Sequence, residues 1–529
     1  MNIQDNFNSL KENFANSCNT EGANIRKILV QVGHCSKSVG AEEIFQYFDE
    51  HANEFDLVLM AGCDGACFNA PQVNVIEPNG SIRKFGLVDL ENAASILDGD
   101  YPPESDIETY FSNQQRIALS DCGNVPWDDL EGYINIGGFK ALLDVLQSEP
   151  IEVIEKVLDS GLRGRGGAYF PAGLKWKAVS DLDESNRYLV VNCEEGEPGV
   201  FKDRHLMEGL PFRIIEGALI AAYCSKASEI FIYVNAEAHL SSSRIEDAVK
   251  KCYEVGLCGQ DVLGSGYGLD VFILHGAGGY VCGEETTLLN TMEGFRREPR
   301  VRPPFPTEAG YLNQPTVINN AETLANIPYI ISEGSEHFKT IGLTESPGCK
   351  IISLSGSVDR PGVVEVPMGT SVRHIVEQIG NVPKNTKVGA VAVGGPSSGI
   401  MPEKLIDTII KPGFILQPGV ILGAGGVIVI PEGKNILNAV KLLTEYNATE
   451  SCGKCTPCRE GNPRMLQLLS KLNPEQFSST ELDEINNLAT TINASSLCGL
   501  GQASGNPILS LGHHFVNDDS QAHIGLKSN

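Results

Sequence analysis

The chain has 529 residues, too many for a single hydrophobic core, so three or four domains are expected. Its 40 Lys and Arg stand against 67 Asp and Glu, and the net charge of −27 excludes a nucleic-acid binder, which needs a basic footprint. No apolar run approaches the roughly 18 residues of a membrane span, and the polar N-terminal 25 residues predict no secretory signal. A cytoplasmic chain is therefore expected. Its 15 cysteines then point to metal ligation or buried thiols rather than to a disulfide framework.

From Ile25 to about Gly99 the pattern is strand, helix, strand: Ile28–Val32, then helical spacing over Ala41–Phe55, then Leu57–Met60 and Val73–Ile76. The polar stretch Pro102–Asp121 predicts a linker. Between about Gly123 and Glu345 apolar strands (Tyr188–Val191, Ile230–Val234, Val271–Leu274) alternate with helical patterns such as Phe212–Ala222. That alternation predicts a mostly parallel, covered sheet. From Lys350 to about Ile430 short strands with Gly and Pro turns predict a β-rich domain. From Ile436 to about Leu500 helical spacing returns and predicts a small bundle. The tail Gly512–Asn529 reads as surface.

Glu450–Gly461 reads ESCGKCTPCREG, which places Cys452, Cys455 and Cys458 in C-x2-C-x2-C, and Cys498 follows alone in SSLCGLG. Three closely spaced thiolates can hold three corners of a cubane, with the fourth ligand supplied from elsewhere in the fold. A structural zinc site is the bland alternative. Zinc usually takes two C-x2-C pairs, so three plus one favours iron–sulfur.

Gly161–Trp176 reads GLRGRGGAYFPAGLKW. Its glycines let backbone approach a flat or anionic ligand, and Arg165 and Lys175 can neutralise phosphate. A generic tight turn is the competing reading. No G-x-G-x-x-G fingerprint lies between a strand and a helix, so a dinucleotide would bind by another arrangement. Asn192–Arg204, NCEEGEPGVFKDR, places Glu194, Glu195 and Glu197 after the strand YLVV. Carboxylates at a buried strand end are costly unless they bind something polar. GGYVCGEETTLLN (Gly278–Asn290) and INNAET (Ile318–Thr323) are two further polar strand ends.

Together these segments resemble the NADH-binding flavoprotein subunit of respiratory complex I and the related diaphorase subunits of NAD-reducing hydrogenases and NAD-dependent formate dehydrogenases. GRGGAYFPAGLKW is similar to the family's GRGGAGFPTGLKW, and NCEEGEPGVFKDR to its NADEGEPGTYKDR. GGYVCGEETTLLNTMEG, RPPFP and INNAETLANIP match closely, and ESCGKCTPCREG is a common family form. The resemblance spans roughly Cys122–Ile524. It implies an α/β chain of four parts: residues 1–115, a thioredoxin-like ferredoxin domain; 116–345, a non-classical Rossmann-like FMN and NADH domain; 346–435, a ubiquitin-like (soluble-ligand-binding β-grasp) domain; and 436–529, a helical iron–sulfur domain.

The resemblance also implies roles. Gly164, Arg165, Gly166, Gly167, Lys175, Asn192, Glu194, Glu195, Tyr280, Gly283, Glu284, Ile318, Asn319, Asn320 and Thr323 would line FMN. Phe170 and Phe305 would stack on NADH, with Glu197, Glu285 and Arg302 at its polar parts. Cys452, Cys455, Cys458 and Cys498 would hold a [4Fe-4S] cluster. No acid–base residue is required. Tyr169, Cys193 and Glu194 depart from the family pattern, and Tyr169 would narrow the nucleotide pocket. The acidic surroundings predict NADH over NADPH.

The N-terminal part resembles a [2Fe-2S] domain with C-x4-C and C-x3-C ligands. Cys35, Cys63 and Cys67 are present, but Val30 falls at the first ligand, which implies a lost cluster; Cys18 is a conceivable substitute. The implied function is an NADH dehydrogenase component that feeds neighbouring iron–sulfur subunits of a complex I-like assembly, peripheral to the membrane through those partners. The alternatives are the diaphorase of a hydrogenase or formate dehydrogenase and, from another class, a non-catalytic docking component.

Overall fold

The computed structural model describes residues 3–18, 25–102, 106–412, 415–472 and 479–516. The expected surface tail therefore lies largely outside the described residues, as does the side chain of Cys18. Helix α1 (Ile3–Cys18) opens the chain. Its Phe7 is buried in the central core, and Asn6 Nδ2 donates to Leu263 O at 2.8 Å.

The N-terminal sheet has the order β2-β1-β3-β4 in β1 (Arg26–Gln31), β2 (Asp56–Ala61), β3 (Gln72–Ile76) and β4 (Ile82–Phe85). β1 and β2 run parallel, so a crossover must join them, and α2 (Ala41–His51) supplies it. The helix ends before Phe55, which the apolar spacing had placed on its face. Asn53 Oδ1 accepts from Phe55 N at 2.8 Å, and this side-chain turn leads into β2 with Phe55 exposed. Helix α3 (Leu90–Asp98) completes the unit, with Asp89 capping it by accepting from Asn92 N at 2.7 Å.

Val30 is fully buried in the core of this sheet, among Ile28, Ile44, Phe48 and Val73. A ligand there would not face the thiols, so Val30 is not the structural position of a missing fourth ligand. Gly33 is better placed, since a Cβ on it would lie 3.4 Å from Cys63 Cβ.

The stretch expected to be a linker is packed instead. Helix α4 (Asp106–Ser112) buries Tyr110, whose hydroxyl donates to Gly65 O at 3.0 Å. The backbone N–H groups of Ile117, Ala118 and Leu119 then donate to the Glu365 carboxylate at 2.9–3.1 Å. A polar sequence can still be buried when its backbone donors find a carboxylate.

The central sheet is parallel throughout, in the order β7-β6-β5-β8, formed by β5 (Tyr188–Cys193), β6 (Glu229–Val234), β7 (Asp270–His275) and β8 (Thr316–Asn320). α5 (Ala172–Ser180), α6 (Lys202–Gly209), α7 (Pro211–Ser225) and α8 (His239–Glu254) surround it. The apolar runs of β5 and β6 fit strands covered on both faces. The chain leaves β5 toward β6 on one side, while β8 pairs on the other, so the strand order reverses at the C-terminal ends of β5 and β8. Ligands in open parallel sheets collect at such a point.

A five-stranded sheet follows, in the order β10-β9-β13-β11-β12, with β9 (Cys349–Gly356), β10 (Gly362–Pro367), β11 (Val388–Val393), β12 (Ile400–Pro402) and β13 (Gly426–Pro431). Only β9 and β13 pair in parallel within it. The C-terminal helices share a third core through Leu437, Met465, Leu469, Ile485, Ile492 and Leu511. The chain is thus a mixed α/β protein. Among the described residues, no helix is long and apolar enough to cross a membrane.

Candidate functional site

A cleft of about 720 Å³ opens at the C-terminal ends of β5 and β8, within the roughly 300–1,000 Å³ typical of small-molecule sites. The turn Gly166–Gly167 forms one edge. Gly167 has φ of +118°, and a Cβ on it would sit 3.4 Å from the Gly423 carbonyl carbon, so glycine is needed for both its conformation and its approach. On α5, the Lys175 ammonium pairs with Glu285 and donates to Ile318 O at 3.1 Å.

The strand ends carry the polar groups. Asn192 Nδ2 donates to Gly283 O at 2.9 Å. Asn320 Nδ2 donates to Asp203 at 2.6 Å, and its Oδ1 accepts from Lys202 at 3.1 Å. Glu195 accepts from the backbone N–H groups of Asp203 and Arg204 at 2.9 and 3.0 Å, so it caps the first turn of α6. Glu194 accepts from Asn235 through one oxygen, while its other oxygen is buried without a partner. Glu197 receives a hydrogen bond from the Tyr280 hydroxyl at 3.3 Å, and Tyr280 also meets Ser397 Oγ at 2.7 Å. Burial raises all three carboxyls, Glu194 and Glu195 to about 7 and Glu197 to about 8. Glu284 caps α9 (Glu285–Met292), accepting from Thr286 and Thr287 N at 3.0 and 2.9 Å, and its other oxygen lies 3.5 Å from Arg302. Phe170 and Phe305 stand half exposed at the mouth.

Several residues singled out from the sequence lie outside this lining. The Arg165 guanidinium is fully buried and donates to the carbonyls of Arg163, Pro347 and Cys349 at 2.7–2.9 Å, so it offers no charge to a phosphate in the cleft. Thr323 Oγ1 accepts from Arg165 N, and Asn319 accepts from Trp176 Nε1 beneath the floor. Gly164 supports the turn through Phe170 O at 2.8 Å.

Tyr169 does not narrow the mouth. It turns into the core of the β-rich sheet, 2% exposed, at φ +54°, and its hydroxyl donates to Gly423 O at 2.9 Å. It braces the cleft wall from behind. Tyr169→Phe is expected to lower stability by about 1 kcal/mol. Thermal unfolding checks this, and an unchanged midpoint would remove the bracing role. Cys193 is core, with no exposure.

Other lining groups carried little sequence signal. Lys202 and Asp203 belong to the acidic motif but were not singled out. Ser397, Gly423 and Ala424 come from the β-rich segment, and Gly499, Leu500 and Ala503 from the short C-terminal helix Gly499–Ala503. Lys202 is buried between Asp203 at 2.7 Å and Glu322 at 3.0 Å, and Lys350 reaches Glu322 from β9 at 2.5 Å.

The C-terminal cysteines adjoin the cleft. Cys458 and Cys498 are buried beside Val281 and Leu500, with Cys452, Cys455 and Tyr280 packed against them; Val281, Leu500 and Tyr280 also line the cleft. Cys455 precedes α10 (Thr456–Lys471), and Cys498 precedes α11 (Gly499–Ala503). Two helix N-termini therefore face the thiols, and their N–H groups favour negative charge. Cys458 Sγ accepts from Asn462 Nδ2 at 3.2 Å and contacts Ser451 Oγ at 3.1 Å. Among the described residues, no three His, Cys, Asp or Glu side chains close round a single metal ion.

Residues 157–329 match the family model described as the Nuo51 FMN-binding domain, and residues 438–523 match the NADH-ubiquinone oxidoreductase-F iron-sulfur binding region. The NADP-reducing hydrogenase subunit HndC of Solidesulfovibrio fructosivorans is 39% identical, over 79% of this chain and 85% of its own. An NADH-quinone oxidoreductase subunit of Streptomyces coelicolor is 38% identical, over 78% of this chain and 93% of its own. A solved structure of NAD+-reducing [NiFe]-hydrogenase in the H2-reduced state matches 93% of this chain and 83% of its own, with 26% identity and a TM-score of 0.66.

Proposed function

We propose a role for each part of this cleft from the premise that the chain belongs to the family of Nuo51-type subunits of NADH-quinone oxidoreductase and their hydrogenase-linked relatives. The protein is an NADH dehydrogenase subunit that uses FMN and a [4Fe-4S] cluster. FMN, when bound, takes two electrons from NADH and gives them up singly, which suits a one-electron cluster.

The residues present fit both groups. The unpartnered oxygen of Glu194 is an acceptor for a hydroxyl-bearing chain, and the Gly166–Gly167 turn leaves room for a flat ring system against Gly423. Four thiols before two helix N-termini suit a cubane. The observation that carries the reading is the shared wall: Val281, Leu500 and Tyr280 line the cleft on one side and pack the cysteines on the other. Those three side chains are shared by the cleft and the cysteines that would hold the cluster.

In this reading Gly166, Gly167, Asn192, Glu194, Gly283, Ile318 and Asn320 hold the flavin. Glu195 and Asn320 hold α6 and Lys202 in place. Phe170 and Phe305 cover the nicotinamide and exclude water, while Lys175, Glu197, Glu285 and Arg302 orient the polar parts of NADH. The carboxylates disfavour an extra phosphate, so NADH is preferred over NADPH. No side chain needs to donate or remove a proton for electrons to leave the nucleotide. Cys452, Cys455, Cys458 and Cys498 hold the cluster. The N-terminal unit is thioredoxin-like and the β-rich sheet ubiquitin-like, and electrons pass to neighbouring iron–sulfur subunits of a quinone reductase.

The second reading is a hydrogenase diaphorase. The hydrogenase subunit HndC matches 79% of this chain at 39% identity, level with the Streptomyces relative at 78% and 38%. Identifying the subunits that copurify with the tagged protein, a quinone reductase or a hydrogenase, separates the two.

Phe305→Ala is expected to raise the Michaelis constant for NADH about fivefold, the loss of one aromatic contact worth ~1 kcal/mol, with flavin content unchanged. The measurement is NADH oxidation with ferricyanide as acceptor. Unchanged kinetics would remove Phe305 from the nucleotide site.

A further inference from the structure

Two buried lysines meet beneath the cleft. Lys202 of α6 places its ammonium 2.7 Å from Asp203, 3.0 Å from Glu322 and 3.1 Å from Asn320 Oδ1. Lys350 of β9 donates to the same Glu322 oxygen at 2.5 Å and to Ile351 O at 2.9 Å, while the other Glu322 oxygen accepts from Ile351 N at 2.8 Å. None of the four charged residues is more than 3% exposed. Burial opposes ionisation, but Asp203 and Glu322 raise the Lys202 ammonium, and Lys350 and Lys202 lower the Glu322 carboxyl. Two cations and two anions balance, so the group carries no net charge.

The group reaches the cleft at one end. Lys202, Asp203 and Asn320 line it, and Glu322 and Lys350 do not. Lys350 lies behind the wall: a Cβ on Gly425 would come within 3.0 Å of its Nζ, and Gly423 and Ala424, just before Gly425, are lining residues. Three cations line the cleft among the described residues. Lys175 pairs with Glu285 and Arg302 with Glu284, all four partly exposed, whereas Lys202 is closed off from water. Solvent and salt therefore screen Lys202 least.

We propose that Lys202 is the fixed positive charge that sets how readily the flavin of this cleft is reduced, and that Lys350 acts on it from the β-rich sheet, as a positioning residue, through their shared carboxylate, Glu322. The proposal rests on the FMN reading above. A hydride brings one negative charge with its two electrons, and that charge arrives in a cleft already lined by Glu194, Glu195 and Glu197. A buried group of zero net charge does not oppose it. The same group left at −1 repels it and left at +1 attracts it, and a dry site screens neither effect well. Charge count, rather than shape, then decides the potential.

The test poises the anaerobic full-length holoprotein at graded potentials, with the flavin content measured first, the flavin followed by absorbance and the cluster by paramagnetic resonance. Lys202→Met leaves the group at −1. It is expected to lower the ratio of reduced to oxidised flavin at a given potential about tenfold, a shift of about 30 mV for a two-electron couple. Asp203→Asn leaves the group at +1 and should raise the ratio by a similar factor. Lys350→Met, outside the lining, should lower it severalfold. Glu322→Gln combined with Lys350→Met removes one charge of each sign and should leave the ratio within twofold of wild type. If Lys202→Met folds poorly, Lys350→Met and this charge-neutral double variant carry the same comparison. Shifts below twofold in the single variants, or shifts of one sign whichever charge is removed, would overturn the proposal and leave the group a structural clamp. Wild-type protein that binds no FMN would overturn the reading beneath it, and the proposal with that reading.

Discussion

Cys458→Ser will strip the protein of its iron, about four atoms per chain, while leaving FMN in place. Cys458 is buried, its sulfur is held by Asn462 and Ser451, and it lies in the first turn of α10. A hydroxyl is a poor iron ligand, and a cubane with an open corner in a wall shared with the cleft is exposed to loss. NADH oxidation by ferricyanide should persist, because the flavin site keeps its strand-end carboxylates and glycine turn. Transfer to a partner iron–sulfur subunit should fall roughly a hundredfold or more, since Asn462→Ala, which removes only a supporting hydrogen bond, is itself expected to cost about 10–100-fold in cluster retention. Iron analysis, paramagnetic resonance of the reduced protein and the two assays in parallel measure this. Full iron content in Cys458→Ser would place the cluster on other ligands.

The parts legible in the sequence were those governed by local pattern. The parallel sheet followed from covered apolar runs, and the strand-end carboxylates and C-x2-C-x2-C spacing pointed to the cleft and the cluster. What the sequence concealed depends on long-range closure. Arg165 lies in a glycine-rich segment that suggests phosphate, yet its guanidinium is taken by carbonyls from residues 347 and 349. Tyr169 occupies a family glycine and seemed an obstruction, but its left-handed backbone sends the ring to the other side of the turn. Ser397 and Gly423 reach the cleft from the β-rich segment, outside every motif, and Leu500 reaches it beside Cys498; no local periodicity marks them as lining. The stretch after Pro102 packs because Glu365 and Gly65, distant in sequence, accept its hydrogen bonds in place of water.

Glu197→Gln should stabilise the flavin-depleted protein above neutral pH while weakening its hold on NADH. In the unfolded chain this carboxyl titrates near 4.5, whereas in the cleft burial holds its proton to about 8. Below pH 4.5 both states are protonated and burial of the group is free of charge cost. As pH rises from 4.5 toward 8, the unfolded chain releases its proton and the folded chain retains it, so stability falls steadily; above 8 the difference is constant. At about 1.36 kcal/mol per unit, the loss reaches roughly 5 kcal/mol in order of magnitude. Glu195, raised to about 7 by burial and by Asp203, acts in the same direction. Glutamine keeps the acceptor for the Tyr280 hydroxyl, which the carboxylate meets at 3.3 Å, and carries no charge to desolvate. The wild-type melting temperature should therefore fall between pH 6 and 8.5, and the variant should lose much of that slope. A parallel slope in the variant would assign the pH dependence to other groups. The site thus trades stability for an acidic, partly dry wall, and a bound nucleotide that hydrogen-bonds to Glu197 would return part of the loss. Wild type should accordingly gain more melting temperature from NADH at pH 8.5 than Glu197→Gln does.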